Sequence, residues 1–171
     1  MIGANIILSN LHVDKIPMAS ATLAQCWKYA YKGLIHDDYL SSLKENHWIA
    51  FLEKSINDKT ATCIIAEYES QIVGVSIFGK SITETYPNDG EVISLYVLPE
   101  FIGQNIGNML FEKAQQSLKE QGHRHCIICT FTANTKAIRF YQSHDYEVVA
   151  QDETITMGTQ LLPYVIMRKT F

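Results

Sequence analysis

The sequence predicts an α/β (α+β) fold built on one mixed central sheet, and two patterns carry that reading. Between residues 91 and 131 an apolar strand, a helix with apolar residues at every fourth position and a second apolar strand follow one another. Such a crossover unit places its two strands parallel. Upstream, two apolar runs flank the short polar turn Glu69-Ser70-Gln71, a hairpin signal that adds antiparallel strands to the same sheet. The length, 171 residues, fits one domain over 1–171 with one core.

In chain order, Ala4-Asn5-Ile6-Ile7-Leu8 reads as a short opening strand. After Pro17, the residues Leu23, Trp27, Ala30 and Leu34 mark one face of a helix that ends near Gly33. Trp48, Ile49, Leu52 and Ile56 mark a second helix. The hairpin strands cover 62–66 and 72–78, and the next strand, 91–98, stops before Pro99. Ile106, Leu110, Ala114 and Leu118 predict a helix over 104–121, closed by Gly122. A strand at 125–131, a helix at 135–143 capped by Asn134, and strands at 146–150 and 164–168 complete the order β-α-α-β-β-β-α-β-α-β-β.

Composition excludes several functions. With 14 basic against 18 acidic residues the net charge is -4, so no cationic surplus exists to neutralise nucleic-acid phosphates. No apolar stretch approaches the ~20 residues of a membrane span, and residues 1–11 are too short and mixed for a signal peptide. A cytoplasmic, reducing location is expected. Cys126 and Cys129 stand three apart within a strand pattern and so face opposite sides of it, which argues for reduced core thiols. His123 and His125 have no third ligand in view, so no metal site is expected.

Chemistry concentrates in two places. The segment 97–110 reads as a strand, a tight turn and a helix start, where unpaired amides and the helix dipole attract anions. Gly103 and Gly107 let backbone approach a bulky anion, and Asn105 tolerates positive φ; the same glycines also suit a plain strand-to-helix turn. Neither a dinucleotide fingerprint nor a Walker loop is present. The second place is the helix after Asn134, on which Ala137 and Tyr141 share a face.

Three runs together resemble the signature of the GNAT superfamily of N-acetyltransferases: Leu95-Tyr96-Val97-Leu98-Pro99, the Gly103 to Gly107 turn before Met109-Leu110, and Asn134-x-x-Ala137-x-x-Phe140-Tyr141. The stretch from Trp27 to Ile35 is similar to the first helix and following loop of many small bacterial members. The resemblance implies a mostly antiparallel sheet with helices on both faces and a splayed, parallel fourth and fifth strand. It implies acetyl-CoA as co-substrate and no metal. Backbone groups of Tyr96 and Val97 would pair with pantetheine, the amides of Ile102, Gly103, Gln104, Asn105, Ile106, Gly107 and Asn108 would hold the pyrophosphate, and Asn134 and Ala137 would complete the cofactor site. The family loop reads Gln/Arg-x-x-Gly-x-Gly/Ala, whereas this chain has Ile102, Asn105 and Gly107 there; restoring glycine at 105 is expected to be tolerated. Asp145-Tyr146 likewise stands where the family has Gly-Phe/Tyr.

An acceptor amine with a pKa near 10.4 is mostly protonated at pH 7, a penalty of roughly 4–5 kcal/mol that a base relieves. By resemblance Glu91 matches a glutamate base working through water; a solvated strand-end carboxylate is the plain alternative. By the same resemblance Tyr141 would meet the cofactor's thioester and protonate the departing thiolate; a plain packed aromatic is the alternative. Tyr31 and Asp37, with Asp38, lie where the family binds its acceptor, although a helix N-terminus explains the aspartates equally well. Glu84 and Asp89 flank the loop before the fourth strand. The expected activity is direct acetyl transfer to a primary amine of a small molecule: polyamine, aminoglycoside or amino-acid-like. The alternatives are a protein or peptide amine, or a non-catalytic acyl-CoA-binding module. The aromatic C-terminal strand hints at a homodimer.

Overall fold

The hairpin seeds the sheet. In the computed structural model, which describes residues 5–171, β2 (Ala61–Tyr68) and β3 (Gln71–Lys80) pair antiparallel around Glu69 and Ser70. Both turn residues hold positive φ, 48° and 68°, the twist that a two-residue hairpin requires. β1 (Ile7–Asn10) pairs with β2 on one side, and β4 (Gly90–Val97) pairs with β3 on the other. The opening strand thus lies later than the expected 4–8. Asn5 and Ile6 precede the strand, which begins with Ile7 opposite Glu67; Ala4 lies outside the described residues.

β5 (His125–Phe131) runs parallel to β4, and β7 (Gln160–Thr170) pairs with β5 along its whole length. β6 (Glu147–Met157) closes the far edge, giving seven strands in the order β1-β2-β3-β4-β5-β7-β6. The last two strands are far longer than the sequence pattern suggests. Most side chains of β6 are exposed, so neither apolar alternation nor a core face marks it in the sequence, and β7 shows a core run only at its buried stretch, Val165, Ile166 and Met167. The hairpin turns at Gly158, at φ 62°.

Among the described residues five α-helices cover the two faces. α1 (Ile16–Ala30) carries Pro17 in its first turn, where a missing N–H costs nothing. α2 (Asp37–Ser42) is a six-residue helix too short to show a periodic face in the sequence. α3 (Ile49–Asn57), α4 (Ile106–Glu120) and α5 (Thr135–Gln142) follow the sequence pattern. Alternation along β2 divides the core. Cys63 and Ile65 pack with Leu23 of α1 and Leu52 of α3, whereas Ile64 and Ala66 pack with Leu110 and Phe111 of α4. Among the described residues no helix is long and apolar enough to cross a membrane.

Gly74 sets how closely α4 lies on the sheet. A Cβ there would stand 2.8 Å from Leu110 Cδ1, 3.2 Å from the Tyr96 carbonyl oxygen and 3.3 Å from Ile106 Cγ2. Gly74→Val should therefore destabilise the fold by roughly 1–3 kcal/mol through overpacking, seen as a lower midpoint in urea unfolding. An unchanged midpoint would mean that α4 shifts freely, contrary to this packing.

Candidate active site

β4 and β5 pair at only two positions, Gly90 with Cys126 and Glu91 with Ile127. Beyond them the strands diverge. The other edge of β4 is taken by β3 and the other edge of β5 by β7, so the edges facing each other across the gap have no strand partner. Unpaired backbone groups at such a place demand a polar partner. The gap is a cavity of about 750 Å³ lined by 92–97 of β4, 128–130 of β5, the end of α1 with its following loop, and the first turn of α5.

Tyr31, just past α1, fills the fork. Its ring meets Phe131 of β5 edge-on at 5.1 Å and Trp27 at 4.8 Å, and its hydroxyl shares a 2.8 Å hydrogen bond with that of Tyr96 on β4. Burial pushes both phenols up in pKa, Tyr96 strongly so, and both therefore stay neutral. A second cavity, about 500 Å³, opens between the 82–85 loop and the β6–β7 hairpin. The two cavities share Tyr31, Ile93, Tyr96, Cys129 and Thr130. Carboxylates of Glu84, Glu91 and Glu153 line the second, among the rings of Trp27, Phe131 and Tyr164.

The sequence-selected residues fall into three groups. Tyr96, Val97, Ile102, Asn134, Ala137 and Tyr141 line the first cavity. Tyr141 is 8% exposed, and burial raises the pKa of its phenol above the ordinary tyrosine value, which keeps the hydroxyl protonated. Asn134 accepts a hydrogen bond from the Ala137 amide at 3.2 Å and so caps α5, as expected.

Gly103, Gln104, Asn105, Ile106, Gly107 and Asn108 form the turn beyond Ile102. Gly103 and Asn105 adopt positive φ, 85° and 67°. Asn105 occupies the N-cap of α4, yet its side chain caps nothing. The amides of Ile106, Gly107 and Asn108 precede the first intrahelical bond, which Met109 donates to the Asn105 carbonyl. A Cβ on Gly107 would meet only Val97 Cγ2, at 3.9 Å, so the space above these amides is empty enough for an anion. The Ile106 side chain is buried beneath the helix, leaving only its backbone to face a ligand.

Glu91 is 3% exposed, in contrast to a solvated strand end. Its Oε2 accepts from Ser81 Oγ at 2.9 Å, the Ile82 amide at 2.9 Å and the Thr83 amide at 3.2 Å. Only the Thr83 hydroxyl, at 3.3 Å, reaches Oε1 among the described residues. Glu91 thus clasps the loop with one oxygen and faces the second cavity. Asp37 and Asp38 are exposed in the first turn of α2 and line neither cavity. Asp89 is buried in a two-point pair with Arg168, at 2.7 and 3.3 Å. Sequence reasoning missed Thr83, Glu153, Phe131 and Tyr164: Thr83 meets Glu91 through a loop that carries no motif, and the other three come from distant strands that no spacing joins.

Residues 26–146 match the model of the acetyltransferase (GNAT) family, and the chain belongs to that family. It is an acyltransferase, an N-acetyltransferase that uses acetyl-CoA as co-substrate. An uncharacterised N-acetyltransferase of Bacillus subtilis, YuaI, is 29% identical over 155 residues, covering 90% of this chain and 81% of that protein. A spermidine N(1)-acetyltransferase of Thermoplasma acidophilum is 23% identical over 155 residues, covering 86% and 92%. The fold is similar to the crystal structure of PaiA N-acetyltransferase from Thermoplasma acidophilum in complex with coenzyme A. That match has a TM-score of 0.76 at 20% identity over 97% of this chain and 99% of the other.

All four cysteines are free, and Cys129 sits where the two cavities meet. Burial pushes the thiols of Cys26, Cys63 and Cys126 up to about 12 and that of Cys129 up to about 11. These acids stay protonated in the fold, so their contribution to stability is full below the unfolded value of 9.0 and is lost as pH rises through the folded values. A disulfide reagent at pH 8 should label the native protein slowly and the urea-unfolded protein fast. Rapid native labelling at Cys129 would contradict its shielding.

Proposed function

We propose that the protein acetylates a primary amine of a small polycation of the polyamine type, by direct transfer. One observation carries this reading: a cavity with three carboxylates set among aromatic rings meets the cofactor-sized crevice at a shared seam. Carboxylates attract the protonated amines of such a substrate, and ring faces add cation–π attraction. The spermidine-acetylating relative supports the same substrate class.

When bound, acetyl-CoA supplies an activated thioester. The unpaired edge at Tyr96 and Val97 pairs with the pantetheine amides, Asn134 and Ala137 complete that wall, and the turn from Ile102 to Asn108 holds the pyrophosphate. Glu91, tethered through Oε2, uses Oε1 to take the amine proton through a water. Tyr141 keeps its proton until a thiolate departs and then donates it. The seam's one thiol, Cys129, is protonated and does not compete as a nucleophile, which favours direct transfer over a covalent relay. Tyr31 holds the fork open by packing and positions the acceptor against it.

Thiol release measured across polyamines, aminoglycosides, amino acids and peptides should rank polyamines first. Thiol release with peptides alone would move the acceptor to a protein terminus, and tight acetyl-CoA binding with no acceptor would leave a binding module. Tyr141→Phe should lower kcat by about 10²- to 10⁴-fold while acetyl-CoA affinity moves much less. Glu91→Gln retains an acceptor oxygen for the loop, so its loss should be largest at neutral pH and shrink at high pH, where the amine is already neutral. A pH-independent loss would reduce Glu91 to a loop clasp.

A further inference from the structure

One side chain ties the two sides of the fork together. Thr83 stands in the loop between β3 and β4. Its Oγ1 lies 3.3 Å from Glu91 Oε1, 3.2 Å from Glu91 Oε2 and 3.5 Å from Cys129 Sγ on β5. Thr83 and Cys129 both line the second cavity, and Cys129 lines the first as well.

Proton counting orients the three groups. An ionised carboxylate only accepts, and a hydroxyl has one proton to give. Oε2 already takes Ser81 Oγ, the Ile82 amide and the Thr83 amide. A fourth donor adds little there, whereas Oε1 has no other donor among the described residues, so the Thr83 proton serves Oε1. The lone pairs of Oγ1 then accept from the Cys129 thiol, which burial keeps protonated. Cys129 is itself fixed by the sheet, opposite Ile166 of β7. Donors thus run one way, from β5 through the loop hydroxyl to the Glu91 oxygen that does not hold the loop.

Two features distinguish this hydroxyl from a loop clasp. Without it, the three other donors to Oε2 still bind the loop to Glu91. Among the described residues it has no backbone partner in its own loop, and its second contact lies across the gap, beyond the last β4–β5 pair.

We infer that Thr83 is a positioning residue for acetyl transfer, its hydroxyl held by Cys129 and aiming Glu91 Oε1 into the second cavity. The inference rests on Glu91 being the base. It also gives the Cys129 thiol, inert as a nucleophile, a task in fixing the hydroxyl.

The test is a double-mutant cycle on the full chain, read by steady-state kinetics with spermidine or the panel amine that wild type turns over fastest. Thr83→Val keeps the shape and removes the hydroxyl, so kcat should fall about tenfold or more, the worth of a hydrogen bond to a charged group. KM for the amine and the calorimetric affinity for acetyl-CoA should stay within about twofold. Thr83→Ser should recover most of the lost kcat. In a Glu91→Gln background, Thr83→Val should cost less than about twofold more, because the group it positions is gone. Cys129→Ala should lower kcat less, and again only while Glu91 is present. Urea midpoints accompany each variant, and Cys129→Ala carries the same cycle should Thr83→Val not fold. Equal losses with and without Glu91, or wild-type kcat in Thr83→Val, would overturn the inference and leave the base standing. Wild-type kcat in Glu91→Gln, or no thiol release from wild type with any amine, would overturn both.

Discussion

The structure depends on a parallel pairing that stops after two residue pairs. Strands β4 and β5 leave each other at Val92, and the sheet is held together across the gap only by its lower end and by what fills the fork. Tyr31 does that filling with a ring on one strand and a hydroxyl on the other, so an apolar wedge and one buried hydrogen bond stand in for several ladder bonds. The price of an unfinished sheet is a row of unsatisfied amides and carbonyls. The same row leaves backbone donors and acceptors open to a ligand that carries amides.

The parts of the fold that face the core on a regular period were legible in the sequence. Helices α1, α3, α4 and α5 and strands β2 to β5 appear where apolar spacing puts them, and Asn134 caps its helix as its neighbours suggest. The edge strand β6 was cut short because a strand with both faces largely in solvent has no periodic signal, and α2, at six residues, showed only its acidic first turn. The strand, turn and helix start beside the first cavity were readable because they are contiguous in one run. The lining of the second cavity was not. Thr83, Glu153 and Tyr164 come from three segments, and Asp89 finds its partner Arg168 on a distant strand. Asp37 illustrates the converse: a plausible residue type in a plausible place, which the alternative reading as a helix start accounts for, since it lies exposed in the first turn of α2.

Electrostatically the site separates its tasks by burial. Phenols and thiols around the seam are desolvated and remain neutral. Carboxylates line the second cavity and not the first, and loop donors bind the buried carboxylate of Glu91 there. Unpaired helix-start amides stand at the opposite end, at the start of α4. The two ends of the space thereby differ in electrostatic character.

That arrangement bears on traffic through the enzyme. The rims of the two cavities are built from different elements, the α1 and α5 ends for one and the 82–85 loop with the β6–β7 hairpin for the other. On the proposed function each partner would reach the seam by its own door, and arrival in either order, with both present together at the moment of exchange, is what that reading expects.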